Sequence, residues 1–200
     1  PRIDGMNFDS KQLRQVLGAF PTGVTVVTTI DAAGQAYGVT ANSFSSVSLD
    51  PPLVLWSQSN QSSSHAAFSG SERFVINIMA DDQVQVANQF AKSGIDKFKD
   101  IATCAGLGGV PVIDGTAANL ECLKVAAYPG GDHTIFIGLI ERFQHVGHRP
   151  RFYGRRMTLA PARAPARAPA LALAASCRSR APRARGRAGR RRRHRGRCRG

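Results

Sequence analysis

The sequence has 200 residues and 21.4 kDa, 42 % of them hydrophobic, which suits one domain with a sizeable core and excludes wholesale disorder. A formal net charge of +14 and a pI near 11.0 would suggest a nucleic-acid binder, but the charge is unevenly placed. Residues 1–158 hold 13 basic and 13 acidic side chains, whereas residues 159–200 hold 14 arginines and no acid, so basicity is no guide to the neutral body.

Asp9 and Ser10 are good N-caps, and the spacing of Leu13, Val16, Leu17 and Phe20 predicts an amphipathic helix stopped by Pro21. Val24–Ile30 is rich in β-branched residues and reads as a buried strand. The turn Asp31–Gly34 leads to a second strand near Tyr37–Ala41, giving a hairpin. Ser43–Leu49 alternates weakly, and Pro51-Pro52 precedes a short apolar strand, Leu53–Trp56. Ser57–Ser64 is almost wholly hydroxyl and amide and reads as a polar loop outside the core, followed by a short helix through His65–Phe68. Phe74–Met79 is a further strand, and Asp81 is expected to cap a helix whose inner face carries Val84, Ala87 and Phe90. Gly106–Gly109 reads as a turn, and Ala117–Tyr128 with His133–Phe143 as two long strands joined at Pro129–Asp132. The expected class is mainly β with peripheral helices, an antiparallel barrel of six or so strands.

Beyond Leu159 there are 12 alanines, 4 prolines and 4 glycines beside the arginines, with no aromatic or β-branched residue, so residues 159–200 are expected to be a disordered tail. Three readings of it stand open. It is a nucleic-acid arm, a solvated extension without a selected role, or an out-of-frame product, since Arg, Ala, Pro and Gly all have codons built from G and C. The missing aromatics weigh against a nucleic-acid partner. Cys104, Cys122, Cys177 and Cys198 form no C-x-x-C pair, which removes zinc-ribbon and thioredoxin-like readings and fits free thiols. No stretch approaches the roughly 18 apolar residues of a membrane span, and Pro1–Ser10 lacks a signal-peptide pattern. The expectation is a soluble, cytoplasmic protein.

No G-x-G-x-x-G follows a strand, and no phosphate loop or serine nucleophile elbow is present. His145 and His148 sit in a Gly-containing stretch and read as a loop pair rather than a metal site. An enzyme built from these residues would leave the difficult step to a cofactor. Two segments carry the polar chemistry. Gly38–Ser43 presents hydroxyl, amide and backbone groups suited to the edge of a planar heterocycle. Ser57–Ser64 precedes a helix start, where hydroxyls and amides can hold a phosphate without net charge. A turn-rich connector remains the alternative for each.

Seven segments in order, Phe20–Val27, Gly38–Phe44, Ser46–Val54, Phe74–Asn77, Asp96–Phe98, Leu120–Cys122 and Gly131–His133, together resemble the flavin reductase family of two-component flavin monooxygenases. The resemblance runs from about Phe8 to Leu159, so residues 1–158 are taken as the domain. It implies an antiparallel Greek-key FMN-binding split β-barrel that forms a homodimer. The implied activity is reduction of FMN or FAD by NADH or NADPH, with free reduced flavin passed to a partner monooxygenase.

By position, the resemblance assigns Thr40, Ala41, Asn42 and Ser43 to the isoalloxazine and ribityl chain, with Pro21 and Thr22 flanking the ring. It assigns Ser57, Gln58, Ser62 and Ser64 to the ribityl and phosphate part, and Phe90, Lys97 and Phe98 to the phosphate or adenylate end. His133, with Tyr153 and Arg155, would meet the nicotinamide. No protein side chain is assigned a catalytic role and no metal is implied. Two other classes compete: a flavoprotein that keeps FMN tightly and acts as a direct reductase or oxidase, and a basic-tailed nucleic-acid-binding protein. The Arg/Ala/Pro extension departs from the family pattern.

Overall fold

The computed structural model describes residues 9–153; the tail and Arg155 lie outside the described residues. Helix α1 (Ser10–Leu17) starts where Asp9 accepts a hydrogen bond from the Lys11 amide at 2.9 Å. It ends at Gly18, short of Pro21. Its apolar row is not turned into the core: Val16 and Leu17 are each 65 % exposed and Phe20 75 %.

The strands are β1 (Thr22–Gly23), β2 (Thr25–Ile30), β3 (Ala36–Ala41), β4 (Ser45–Leu49), β5 (Pro52–Ser59) and β6 (Arg73–Ile78). They continue as β7 (Thr103–Ala105), β8 (Pro111–Ile113), β9 (Ala118–Gly130), β10 (His133–His145) and β11 (Phe152–Tyr153). Helices α2 (His65–Gly70) and α3 (Val84–Ala91) lie between them. Seven strands form one antiparallel sheet in the order β3-β2-β6-β9-β10-β5-β4. The β2–β3 hairpin arises as expected, because the Asp31 carboxylate accepts from the amides of Ala33 and Gln35 and closes the turn. Gly131, at φ +72°, supplies the left-handed residue of the two-residue β9–β10 turn.

Several expectations need correction. The α3 N-cap is Gln83, not Asp81, and it makes no side-chain cap bond. Ala87 and Phe90 face inward, while Val84 is only partly covered. Ser57–Ser59 belong to β5 rather than to a loop, and Gln58 and Ser64 are buried at 3 % and 4 % exposure. The pairs β7–β8 and β1–β11 are too short to leave a periodic signal, and Gly106–Gly109 is the turn of the first.

The core centres on Trp56, whose ring lies 4.9 Å from Phe68, 6.0 Å from Phe74 and 5.2 Å from Phe136, centroid to centroid. Asn77 is fully buried and donates to the Val26 carbonyl and Thr28 hydroxyl while accepting from the Ile113 amide, so one amide ties β2, β6 and β8 together. The Cys122 thiol is buried here, and burial beside Glu121 pushes its pKa up to about 12.

Gly138 on β10 sits under this aromatic cluster: an added Cβ would lie 2.5 Å from Phe74 and 2.8 Å from Cys122. Gly138→Ala should therefore lower stability by about 1–3 kcal/mol through overpacking. Urea unfolding checks this, and an unchanged midpoint would show that the cluster yields freely.

Candidate functional site

The sheet does not close on itself. Among the described residues, strand β3 pairs only with β2, and β4 covers β5 only over Pro52–Leu55, leaving Trp56–Ser59 without a strand neighbour on that side. A split therefore opens between Val39–Ala41 and Trp56–Ser59. The split holds a cavity of about 240 Å³, lined chiefly by Thr40–Ser43, Ser57, Gln58, Ser62 and His133 with Trp56 at its base. In an antiparallel strand, alternate residues turn both backbone groups away from the partner. Gly38, whose carbonyl accepts from Lys97 rather than from β2, belongs to the outward set. Thr40, two residues on, thus presents its N–H and C=O to the split.

One side chain spans the split. The Ser43 hydroxyl donates to the Ser57 carbonyl and accepts from the Ser57 amide, each at 2.9 Å. It substitutes for a missing strand pair. Next to it, the buried Gln58 amide donates to Ser64 Oγ at 3.0 Å and Ser62 Oγ at 3.3 Å, and the two hydroxyls lie 3.1 Å apart. Gln58 Oε1 lies 3.4 Å from His65 Nδ1, and His65 Nε2 lies 3.2 Å from Ser69 Oγ. Since the amide oxygen only accepts, Nδ1 carries the proton and Nε2 accepts from Ser69. The serine loop is thus organised from within.

His133 begins β10 opposite Ser59, at the rim of the cavity. Its Nδ1 lies 2.7 Å from Asp132 Oδ1, and this bond holds the Asp132 carboxyl below its ordinary pKa. Among the described residues the other ring nitrogen has no hydrogen bond, which leaves it for a ligand. Asn60 joins this turn to the serine loop: its amide donates to the Asp132 carbonyl at 3.0 Å, and its side-chain oxygen accepts from the Thr134 hydroxyl at 2.8 Å.

A second cavity of about 310 Å³ adjoins the serine loop, between Gln35–Gly38, Ser63–Ser64 and Gly94–Phe98. The Lys97 ammonium lies 3.0 Å from the Gly38 carbonyl and 2.9 Å from that of Phe90, and burial lowers its pKa. Two of its three donors are therefore already engaged, leaving one for a ligand anion. Phe98 stands edge-on to Phe90 at 5.0 Å.

The expected site residues thus divide. Ala41, Asn42, Ser43, Ser57, Gln58, Ser62 and His133 gather at the first cavity, and Ser64, Lys97 and Phe98 at or beside the second. Thr40 lines the first, but its hydroxyl donates to the Ala87 carbonyl at 2.6 Å and so fastens α3; only its backbone is offered to a ligand. Phe90 is fully buried, against Gly38 and edge-on to Phe98, and lines neither cavity. Tyr153 pairs through its backbone with Thr22 in the β1–β11 pair, and neither Pro21 nor Thr22 lines the cavity. Trp56, His65, Asn60 and Asp132 were not anticipated as parts of the site. His65 directly follows the serine run and stands four residues before Ser69, a spacing that could have flagged it. The others act through packing or backbone contacts that leave no spacing signal.

This donor set fits a flavin. Unpaired main-chain groups of β3 suit a heterocycle edge with alternating donors and acceptors, and the hydroxyl loop with one cation beyond it suits a ribityl phosphate. Trp56 Nε1 is buried and has no hydrogen-bond partner among the described residues, a donor that a ligand or water could satisfy.

The comparisons with known proteins agree with this arrangement. The chain is 47 % identical over 137 residues to the FMN reductase (NADH) SmoA of Agrobacterium fabrum, covering 68 % of this chain and 78 % of that protein. It is 40 % identical over 154 residues to the reductase component of the flavin-dependent trigonelline monooxygenase of Acinetobacter baylyi, covering 77 % of this chain but only half of that one. Its fold matches the NADH:FAD oxidoreductase SgcE6 of Streptomyces globisporus, solved with NAD and FAD fragments, with a TM-score of 0.71, 35 % identity and coverage of 79 % and 100 % of the two chains. The flavin reductase like domain matches residues 17–159, and with the split barrel and its hydroxyl-lined opening this establishes that the chain belongs to the flavin reductase family.

Proposed function

We propose that this chain is an NAD(P)H:flavin oxidoreductase that reduces FMN or FAD and releases the product to a partner monooxygenase. The observation that carries the reading is the split itself: an unpaired main-chain edge on β3 faces a hydroxyl-rich β5, with His133 at the rim. Hydride acceptance is the chemistry that the flavin supplies when bound. The chain's residues bind and orient. The Thr40 backbone groups with the Asn42 amide hold the ring edge beside Ala41, Ser43 fixes the width of the recess, and Ser57, Gln58, Ser62 and Ser64 hold the ribityl phosphate. Lys97 and Phe98 bound the phosphate or adenylate end. His133 presents Nε2 to the nicotinamide, whose carboxamide N–H can donate to it when Asp132 keeps the proton on Nδ1. A site with so little charge favours exchange of flavin over permanent retention, and the reductases among its relatives named for NADH make NADH the first co-substrate to test.

Residues 1–158 carry the reaction and residues 159–200 contribute nothing to it. The purified full chain should oxidise NADH or NADPH only with FMN, FAD or riboflavin added, and a chain ending at Thr158 should match its rate. Spectrophotometric assays with each flavin in turn check both. Flavin-independent oxidation, or none with any flavin, would overturn the activity; loss of rate on truncation would overturn the division.

His133→Ala should raise the KM for the nicotinamide substrate about tenfold, with a smaller effect on flavin affinity and none on melting, because one hydrogen bond and a flat contact are lost. An equal loss of flavin affinity would remove His133 from the nicotinamide side.

The working form is a homodimer, since a second copy would cover the apolar row of α1 that the body leaves in solvent. Light scattering should give twice the chain mass for the native protein and a monomer for Val16→Asp with Leu17→Asp. A monomeric native protein contradicts this.

A further inference from the structure

Resting on the flavin-binding reading above, we propose that Gln89 is a positioning residue that makes this chain favour flavins bearing a phosphate or adenylate over riboflavin. It does so by fixing Gly94–Phe98, the outer wall of the 310 Å³ cavity. That wall is not part of a helix or strand. It runs between two left-handed residues, Gly94 at φ +74° and Asp100 at φ +61°, and side chains hold it in place.

Gln89 supplies the polar half of that hold. It lies on the last turn of α3, partly buried, and its Nε2 donates to the Lys97 carbonyl at 3.0 Å and the Lys99 carbonyl at 2.9 Å. Both amide hydrogens are used, and the two carbonyls flank Phe98. The next residue, Phe90, completes the hold with its carbonyl on the Lys97 ammonium and its ring against Phe98. With Gln89 removed, the two carbonyls turn to water and the wall loses its register on α3. The cavity in the split has no lining residue from this segment, so the ring's own recess is left in place. Only the portion of a ligand that reaches past Ser64 feels the change.

The test uses the full chain with Gln89→Ala and Gln89→Glu; the second keeps the shape but has no N–H to donate. Dissociation constants for riboflavin, FMN and FAD come from quenching of flavin fluorescence, KM values for the same flavins from NADH oxidation, and melting curves are recorded alongside. The constant for FAD should rise about tenfold in both variants, that for FMN by less, and that for riboflavin by no more than about twofold, with kcat on riboflavin retained. An equal rise for all three flavins, or none for FAD, would overturn the proposal. So would loss of cooperative melting in both variants, because a residue required for folding is not a selector. Failure of the native chain to bind or reduce any flavin would overturn the function reading itself.

Discussion

Everything at this site depends on a sheet that stops short of closing. A closed barrel satisfies every backbone group between neighbouring strands and leaves nothing for a ligand. Here β3 and the outer half of β5 are not paired with each other, and the Ser43 hydroxyl bonds both backbone groups of Ser57 between them. A side chain of one hydroxyl reach sets the spacing that a ladder of amide bonds would otherwise have abolished. The unpaired polar edge, a liability on an ordinary sheet, becomes the recognition surface.

The support for this gap is arranged in two layers. Behind β5, the Trp56, Phe68, Phe74 and Phe136 cluster fixes the strand from below. Behind β3, Gly38 allows the strand to approach Phe90 so closely that a Cβ would lie 2.4 Å from that ring. Phe90 therefore serves the site by making room and holding α3, and substitution at Gly38 would push β3 into the gap. Polar side chains do the remaining fastening: Thr40 to α3, Gln58 to the serine hydroxyls, Asn60 to Thr134 beside His133. These residues resemble ligand contacts in composition, yet much of their bonding is turned inward.

This inward bonding marks the boundary of what the sequence discloses. The β2–β3 and β9–β10 hairpins were legible because Asp31–Gly34 and Gly131-Asp132 carry turn chemistry between β-branched runs. The polar run Ser57–Ser64 was legible as a site segment but misread as lying wholly outside the core, because polarity was taken for exposure while Gln58 satisfies its neighbours internally. Phe90 was assigned to the phosphate end only through the family resemblance, whereas periodicity set it on the inner face of α3, where it is fully buried. The spacing of α1 was legible as an amphipathic helix, but amphipathic spacing reports that a face wants cover, not what covers it.

Cys122 has a further bearing on the life of such an enzyme. Reduced flavin that escapes into aerated water reacts with oxygen and yields peroxide close to its source. Peroxide oxidises thiolates, and a thiol with a pKa of about 12, buried at 1 % exposure, offers almost none at neutral pH. The sulfur packed beneath Phe74 and Gly138 is thus kept out of reach of the oxidant that the protein's own chemistry generates, and the core ages more slowly than a surface thiol would.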